Sequence, residues 1–418
     1  MPESQNVLDE LAWRGLLHQH TDGLREAFAA KPITAYCGFD PTASSMHVGN
    51  LIPVMGLMHL QRAGNKPIAV VGGGTGLIGD PSGKTSERQL NTLETVEENA
   101  HALRKQLEKF LDFDGPFAAE MRNNADWLRP LGAIEFMRDI GKHFTVNYMM
   151  AKESVQGRME AGISYTEFSY MLLQAYDYRE LFKRDGVTLQ VGGSDQWGNI
   201  TAGLELIRRS EGGDAHALTF PLVTNSSGTK FGKTESGSVW LDPERTSPYQ
   251  FYQFWINIDD RDTARYLRFF TLLSRQEIEA LDKQMSERPQ ERAAQHALAL
   301  DVTTRVHGSE AAKIAEEVSG LLFAKGDPAS LSDDALDALS NEVPFAELPE
   351  LTSAVDALVA LGLAASKGAA RRLVEQGGAS INGRRVSVSD PVGEPLNGGY
   401  YLIKKGSRDY GLVRISQA

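Results

Sequence analysis

The chain has 418 residues, of which 41% are hydrophobic and 23% charged, with a formal net charge of −12. That length suggests roughly two to four domains with an ample core, and no apolar run approaches bilayer-spanning length. A single cysteine, Cys37, excludes an internal disulfide and a cysteine-based zinc site. The start, Met1 to Glu10, is acidic and carries no basic leader pattern, so the expected compartment is the cytoplasm.

The predicted elements begin with a buried strand over Pro32–Phe39, a small-residue loop and a helix from about Met46 to Ala63. Lys66–Gly73 reads as a second buried strand. Val96, Ala100, Leu103, Leu107 and Phe110 recur at four- and three-residue steps, which marks an amphipathic helix. Val187–Gly193 and Leu218–Val223 read as further strands. Strands alternating with helices predict an α/β, Rossmann-like parallel sheet with helices on both faces, and ligands lie beyond the carboxyl ends of such strands. From Ser247 to Ala324 the pattern is helical, with breaks at Arg288-Pro289 and His307-Gly308. Lys325–Glu350 is acidic and rich in Asp, Ser and Pro, the composition of a linker. Ser366–Ile381 reads as a helix with a Gly377-Gly378 stop, followed by an Asn382-Gly383 turn. Tyr400–Lys404 and Gly411–Ile415 read as closing strands. Residues 351–418 hold nine Lys/Arg against five Asp/Glu, while the first 350 carry −16. An acidic body with a basic tail suggests local nucleic-acid contact, although chance variation in a small domain explains the charge equally well.

Gly72–Arg88 imitates two nucleotide motifs without completing either. Gly74, Gly76 and Gly79 match the dinucleotide fingerprint, but Asp80-Pro81-Ser82-Gly83 continues as a turn where that motif must open a helix. Gly83-Lys84-Thr85 resembles the end of a phosphate loop, yet Ile78 stands where its first glycine belongs. The economical reading is a turn that presents Asp80 to a ligand amine, with Lys84 and Arg88 near polyphosphate.

Four segments carry the chemistry. His47-Val48-Gly49-Asn50 follows a strand and loop at a helix start, where free N–H groups attract phosphate. Thr42 and His47 offer hydrogen bonds there, and Gly49 permits close approach of an adenine. Lys230-Phe231-Gly232-Lys233-Thr234 lies in a small, Gly-rich loop, expected to be mobile, whose two ammonium groups can meet developing phosphate charge. Gly192-Gly193-Ser194-Asp195-Gln196 ends a strand and suits a ribose. Tyr170, Gln174 and Asp177 stand at helical steps of four and three on one face among apolar neighbours. Each segment alone also admits a plain surface or packing reading.

Together these segments resemble the bacterial-type tyrosyl-tRNA synthetases, class I aminoacyl-tRNA synthetases. His47–Asn50 is similar to that family's H-I-G-H tetrad and Lys230–Thr234 to its K-M-S-K-S loop, with Asn50 and Phe231-Gly232 as departures. Ser366–Val374 and Ile381–Val386 resemble an S-four-type RNA-binding fold. The resemblance implies tyrosine–tRNA ligase activity with L-tyrosine, ATP, Mg²⁺ on the triphosphate and tRNA(Tyr) as partners, without membrane or DNA. It implies a homodimer, for which helices around Gly132–Gly162 are the expected face. It implies a catalytic domain over 1–226, a lysine loop and all-α anticodon-stem domain over 227–324, an acidic linker over 325–350 and a small α+β RNA-binding domain over 351–418. By resemblance, Tyr36 and Asp177 meet the substrate phenol, Asp80, Tyr170 and Gln174 its ammonium, and Gln196 its carboxylate. Cys37, Gly193 and Asp195 contact ribose, and Gly38, Asp40, Gly49 and Asn50 complete the nucleotide set. Thr42, His47, Lys84, Arg88, Lys230, Lys233 and Thr234 act on the phosphates. Lys367, Arg371, Arg372, Arg384 and Arg385 hold tRNA. The alternatives are a tryptophanyl-tRNA synthetase-like ligase, a related nucleotidyltransferase, or a synthetase-derived RNA-binding protein.

Overall fold

A six-stranded sheet organises the first part of the chain, in the order β1-β6-β5-β2-β3-β4. Its strands are β1 (Gln19–His20), β2 (Thr34–Phe39), β3 (Lys66–Val71), β4 (Glu120–Asn123), β5 (Leu189–Gly193) and β6 (His216–Phe220). All neighbours are parallel except β1, which pairs antiparallel with β6. The computed structural model describes residues 6–82, 90–157, 159, 162–226, 228, 231–234, 237–324, 326–407 and 409–416.

The central strands are legible because burial on both faces demands continuous apolar runs. Ala35, Tyr36 and Cys37 of β2 and Ile68, Ala69 and Val70 of β3 are all buried. β6 stops at Phe220, short of the predicted Val223, since Pro221 has no N–H for the ladder. β4 escapes the pattern because Glu-Met-Arg-Asn is an edge strand of intermediate exposure. Ion pairs, not apolar alternation, flank it: Glu120 with Lys66, and Arg122 with Asp185 at 2.6 Å.

The predicted Met46–Ala63 helix begins as a 3-10 turn over Val48–Asn50 and continues as an α-helix over Leu51–Arg62. The amphipathic helix spans Leu93–Leu107, capped by Thr92, with Val96, Ala100, Leu103 and Leu107 buried. Tyr165–Asp185 and Trp197–Glu211 form two long helices packed on each other. β7 (Lys233–Thr234) and β8 (Gly237–Ser238) form a small hairpin.

The chain divides into two units, Met1–Thr246 with Ile258–Leu298, and Ser247–Asn257 with Ala299–Ala418. This division cuts across the expected 227–324 segment, because the helix Pro248–Ile256 packs against the helix Ser309–Ala324. The second unit carries a sheet of β9 (Phe345–Leu348), β10 (Ala379–Ile381), β11 (Arg384–Arg385), β12 (Tyr400–Lys405) and β13 (Asp409–Ile415). Its order is β11-β10-β12-β13-β9, with β9 parallel to β13 and the other pairs antiparallel.

Two expectations need correction here. The segment read as an acidic linker folds: the helix Asp333–Ser340 buries Ala335, Leu336 and Leu339 beside Leu402 and Leu412, and β9 joins the sheet. Its acidic character partly reflects Asp333 and Asp334 in the first helical turn, where the helix dipole favours them. Ser366–Ile381 is not helical to its end, since the helix covers Lys367–Glu375 and Ala379–Ile381 is β10. The Asn382-Gly383 turn is a hairpin turn with φ of 46° and 77°, joining β10 to β11. Among the described residues no helix is long and apolar enough to cross a membrane.

Candidate active site

β2 delivers Tyr36 into the interior, where it is 1% exposed and meets Tyr178 edge-on at 5.3 Å. Its hydroxyl is buried and has no hydrogen-bond partner among the described residues. An unpaired buried hydroxyl is costly, so its place in a native fold calls for a ligand or water. Burial, and then the charge of Asp177, push the Tyr36 phenol well above its ordinary value.

Asp177 lies on the buried face of the Tyr165–Asp185 helix. Its Oδ1 accepts from Trp127 Nε1 at 2.7 Å and its Oδ2 from Asn124 Nδ2 at 2.9 Å. Burial raises its carboxyl to about 7, although those two donors pull the other way. The network continues outward. Asn124 donates to Thr75 Oγ1 at 2.9 Å, and Thr75 donates to Asp40 Oδ1 at 2.8 Å. Tyr170 donates its hydroxyl to Asp40 Oδ2 at 2.8 Å. Burial, followed by the Asp40 and Asp80 charges, holds the Tyr170 phenol well above its usual range.

A second cluster adjoins these groups. Asp80 Oδ2 accepts from Gln196 Nε2 at 2.6 Å, and Asp80 Oδ1 from the Ser82 amide at 2.9 Å. Asn199 Nδ2 reaches Gln174 Oε1 at 3.1 Å, Ser82 Oγ at 3.2 Å and Gln196 Oε1 at 3.3 Å. Tyr170, Gln174, Asp177, Asp80 and Gln196 therefore belong to two neighbouring polar networks.

The end of β2 and the loop after it carry the other half. Gly38 is exposed, and a Cβ built there would meet nothing within 4 Å. Cys37 beside it is buried, its thiol pushed up to about 12 by desolvation. Thr42 is exposed and its amide donates to Asp40 O at 2.9 Å. His47 Nδ1 accepts from the Gly49 amide at 3.0 Å, and Asn50 Oδ1 accepts from the His47 amide at 3.0 Å. With Nδ1 an acceptor, the neutral imidazole carries its proton on Nε2, which makes Nε2 a donor. A Cβ on Gly49 would lie 2.8 Å from His47 Cε1, so only glycine leaves the ring in place. Asp195 is exposed just past β5, next to Gly193.

The lysine segment is joined to this loop. Phe231 is buried, stacked on Phe270 at 5.0 Å and edge-on to Tyr266 at 4.9 Å. Gly232 has φ 80°, and a Cβ there would approach Val48 Cγ2 to 2.5 Å. Val48 N donates to Val239 O at 3.0 Å, and Leu241 N to Met46 O at 2.9 Å. Lys233, in β7, is exposed. Lys84, Arg88 and Lys230 lie outside the described residues, as does the side chain of Thr234.

In the second unit, Arg371, Arg372, Arg384 and Arg385 are exposed. Lys367 pairs with Asp356 at 2.7 Å, and Arg384 donates to Pro391 O at 3.2 Å.

Sequence reasoning missed Thr75, Ser82, Asn124, Trp127 and Asn199. Asn124 and Trp127 follow the unread strand β4, so nothing placed them at a strand's carboxyl end. A tryptophan close behind paired asparagines was the available signal.

A model of class I tRNA synthetases for tryptophan and tyrosine matches residues 29–324. A model of the C-terminal domain of tyrosine–tRNA ligases matches residues 335–413. The tyrosine–tRNA ligase of Anaeromyxobacter dehalogenans is 56% identical, covering 98% of this chain and 100% of its own length. The chain belongs to the tyrosine–tRNA ligase family. As a member it is an aminoacyl-tRNA ligase built on the class I Rossmann-like fold. The tyrosine–tRNA ligase of Bacillus caldotenax is 53% identical over the same shares of both chains. A C-terminally truncated mitochondrial tyrosyl-tRNA synthetase of Aspergillus nidulans superposes with a TM-score of 0.70 at 30% identity, covering 76% of this chain and 94% of that one.

Proposed function

We propose that this ligase activates L-tyrosine with ATP, giving tyrosyl-adenylate and pyrophosphate, and then transfers the tyrosyl group to the terminal adenosine of tRNA(Tyr) with release of AMP. The observation that carries the tyrosine reading is the buried Tyr36 hydroxyl, without a hydrogen-bond partner among the described residues and close enough to Asp177 to feel its charge. A substrate phenol supplies the missing partner and donates to Asp177. Phenylalanine leaves the Tyr36 hydroxyl without its partner and brings no donor to Asp177, and a site built around a hydroxyl rejects the analogue lacking it, a rule for which tyrosine–tRNA ligases are themselves a standard illustration.

In this reading Asp80, Tyr170 and Gln174 hold the substrate ammonium, and Gln196 lies near its carboxylate. The carboxylate attacks the α-phosphorus, so the protein needs no nucleophile of its own. Its work is positioning and donation toward developing charge. His47 Nε2–H, Thr42, Lys230, Lys233 and Thr234 act on the phosphates, with Lys84 and Arg88 beside them. Cys37, Gly38, Asp40, Gly49, Asn50, Gly193 and Asp195 form the nucleoside side. Mg²⁺ arrives with the triphosphate, as part of that substrate, and offsets its charge.

Residues 1–226 form the proposed catalytic region, 227–324 the lysine loop and anticodon-stem helices, and 351–418 the RNA-binding region. Lys367, Arg371, Arg372, Arg384 and Arg385 bind tRNA phosphates. The enzyme works as a homodimer in the cytoplasm. Supporting the dimer, Ile134 and Tyr165 are each 71% exposed, and Met137, Val146, Met150 and Met159 are exposed between them. ATP–pyrophosphate exchange against each amino acid in turn tests the reading. Exchange with tyrosine alone is expected, and exchange with another amino acid in its place would refute it.

A further inference from the structure

Trp240 stands where the two phosphate-facing segments meet. It forms an isolated antiparallel bridge with His47, flanked by the Val48–Val239 and Leu241–Met46 hydrogen bonds. Its ring meets the imidazole edge-on, with centroids 6.1 Å apart and planes at 63°. The Arg245 guanidinium covers the indole, its Cζ 3.4 Å from the ring centroid. Arg245 also reaches Ser44 Oγ at 3.4 Å, in the loop that leads into His47.

The backbone around Trp240 is held independently. Its amide donates to Thr246 Oγ1 at 3.0 Å, and the Asp242 amide donates to Ser45 Oγ at 3.2 Å. A short turn therefore fixes the backbone that carries the indole. On the other side, β8 leads back through its hairpin to Lys233.

The Gly49 amide fixes the rotation of the His47 ring through Nδ1. It does not fix where the ring stands as a whole. The indole edge supplies that second constraint, since edge-to-face contact is directional. The guanidinium in turn restrains the indole.

We propose that Trp240, clamped by Arg245, is a positioning residue for adenylate formation, setting His47 and the base of the lysine turn in one geometry. This inference rests on the reading of His47 as a phosphate donor. Neither Trp240 nor Arg245 needs to touch substrate for it to hold.

The test is ATP–pyrophosphate exchange with tyrosine, alongside tyrosine binding by equilibrium dialysis. Trp240→Leu, Trp240→Phe and Arg245→Gln are compared in the parent and in a His47→Ala background. Trp240→Leu is expected to lower kcat on the order of tenfold with unchanged tyrosine affinity. Trp240→Phe keeps a ring edge and restores most of the rate. Arg245→Gln costs about threefold and serves should Trp240→Leu lose tyrosine binding through misfolding. Each loss is expected to vanish in the His47→Ala background, which a merely structural role would not produce. Parent-like kcat in both Trp240→Leu and Arg245→Gln, or equal losses in both backgrounds, would overturn the inference. Full exchange in His47→Ala alone would overturn the reading beneath it.

Discussion

Asp177 offers the sharpest test of the amino-acid pocket. Burial raises its carboxyl from 3.8 to about 7, with Trp127 and Asn124 donating to its two oxygens. The substrate phenol donates best to the ionised form, so tyrosine use should follow ionisation of the free enzyme. From pH 8 to pH 6 the ionised fraction falls from roughly nine-tenths to roughly one-tenth, which predicts a loss of about tenfold in kcat/KM for tyrosine. Phenylalanine has no hydroxyl to donate, so its profile should stay flat there, and the discrimination ratio should fall with pH. The linkage has a definite sign. A carboxyl raised on folding contributes stability that is fully present below about pH 4 and lost as pH rises through about 7. The loss reaches about 4 kcal/mol for a shift of roughly three pH units. Saturating tyrosine should therefore raise the thermal midpoint more at pH 8 than at pH 6. Asp177→Asn removes the titration and sets an amide N–H against Trp127 or Asn124. A hydrogen bond to a charged group is worth about 1.5–3 kcal/mol, so the preference over phenylalanine should shrink at least tenfold. The assay is pyrophosphate exchange with each amino acid from pH 5.5 to 8.5. A tyrosine profile without an inflection near 7, or one matched by phenylalanine, would mean that Asp177 does not receive the substrate phenol.

Other consequences are equally concrete. Gly232→Ala places a methyl against Val48 at a φ of 80°, which costs about 1–2 kcal/mol from backbone handedness alone; exchange should fall while tyrosine affinity holds, and normal exchange would break the proposed link between the two segments. Gly49→Ala should displace the His47 ring and lower exchange similarly, as read in the same assay. Ile134→Asp with Met137→Asp should convert a dimer to a monomer in analytical ultracentrifugation, and a persisting dimer would move the interface elsewhere. Replacing Arg371, Arg372, Arg384 and Arg385 with Gln should spare adenylate formation, weaken tRNA charging and flatten the salt dependence of tRNA binding by up to about four units of log–log slope. Unchanged charging would remove those residues from the RNA surface.

How much could be read in advance depended on whether the signal was local. β2 and β3 declare themselves because central parallel strands need unbroken apolar runs, as at Ile68-Ala69-Val70. The steps from Tyr170 to Gln174 to Asp177 fix one helix face from spacing alone. The hairpin at Asn382-Gly383 is likewise local, since those residues tolerate positive φ. The partners of Asp177 are different in kind. Asn124 and Trp127 lie 53 and 50 residues away in sequence, brought close only by β4 docking beside β3. β4 itself is polar because edge position and ion pairs replace apolar burial. The helix Asp333–Ser340 was masked by its acids, its apolar face being only three residues deep. The join between Gly232 and Val48 left no trace in either motif, since no local pattern pairs two segments so far apart in the chain.

In the proposed reaction His47 and the lysine turn serve one triphosphate. The most direct measurement is the single-turnover rate of tyrosyl-adenylate formation in His47→Ala and Lys233→Ala, with tyrosine affinity measured in parallel. Each variant is predicted to slow the step by on the order of a hundredfold or more, with tyrosine affinity near that of the parent. A parent-like rate in either variant would mean that the two segments do not share one triphosphate.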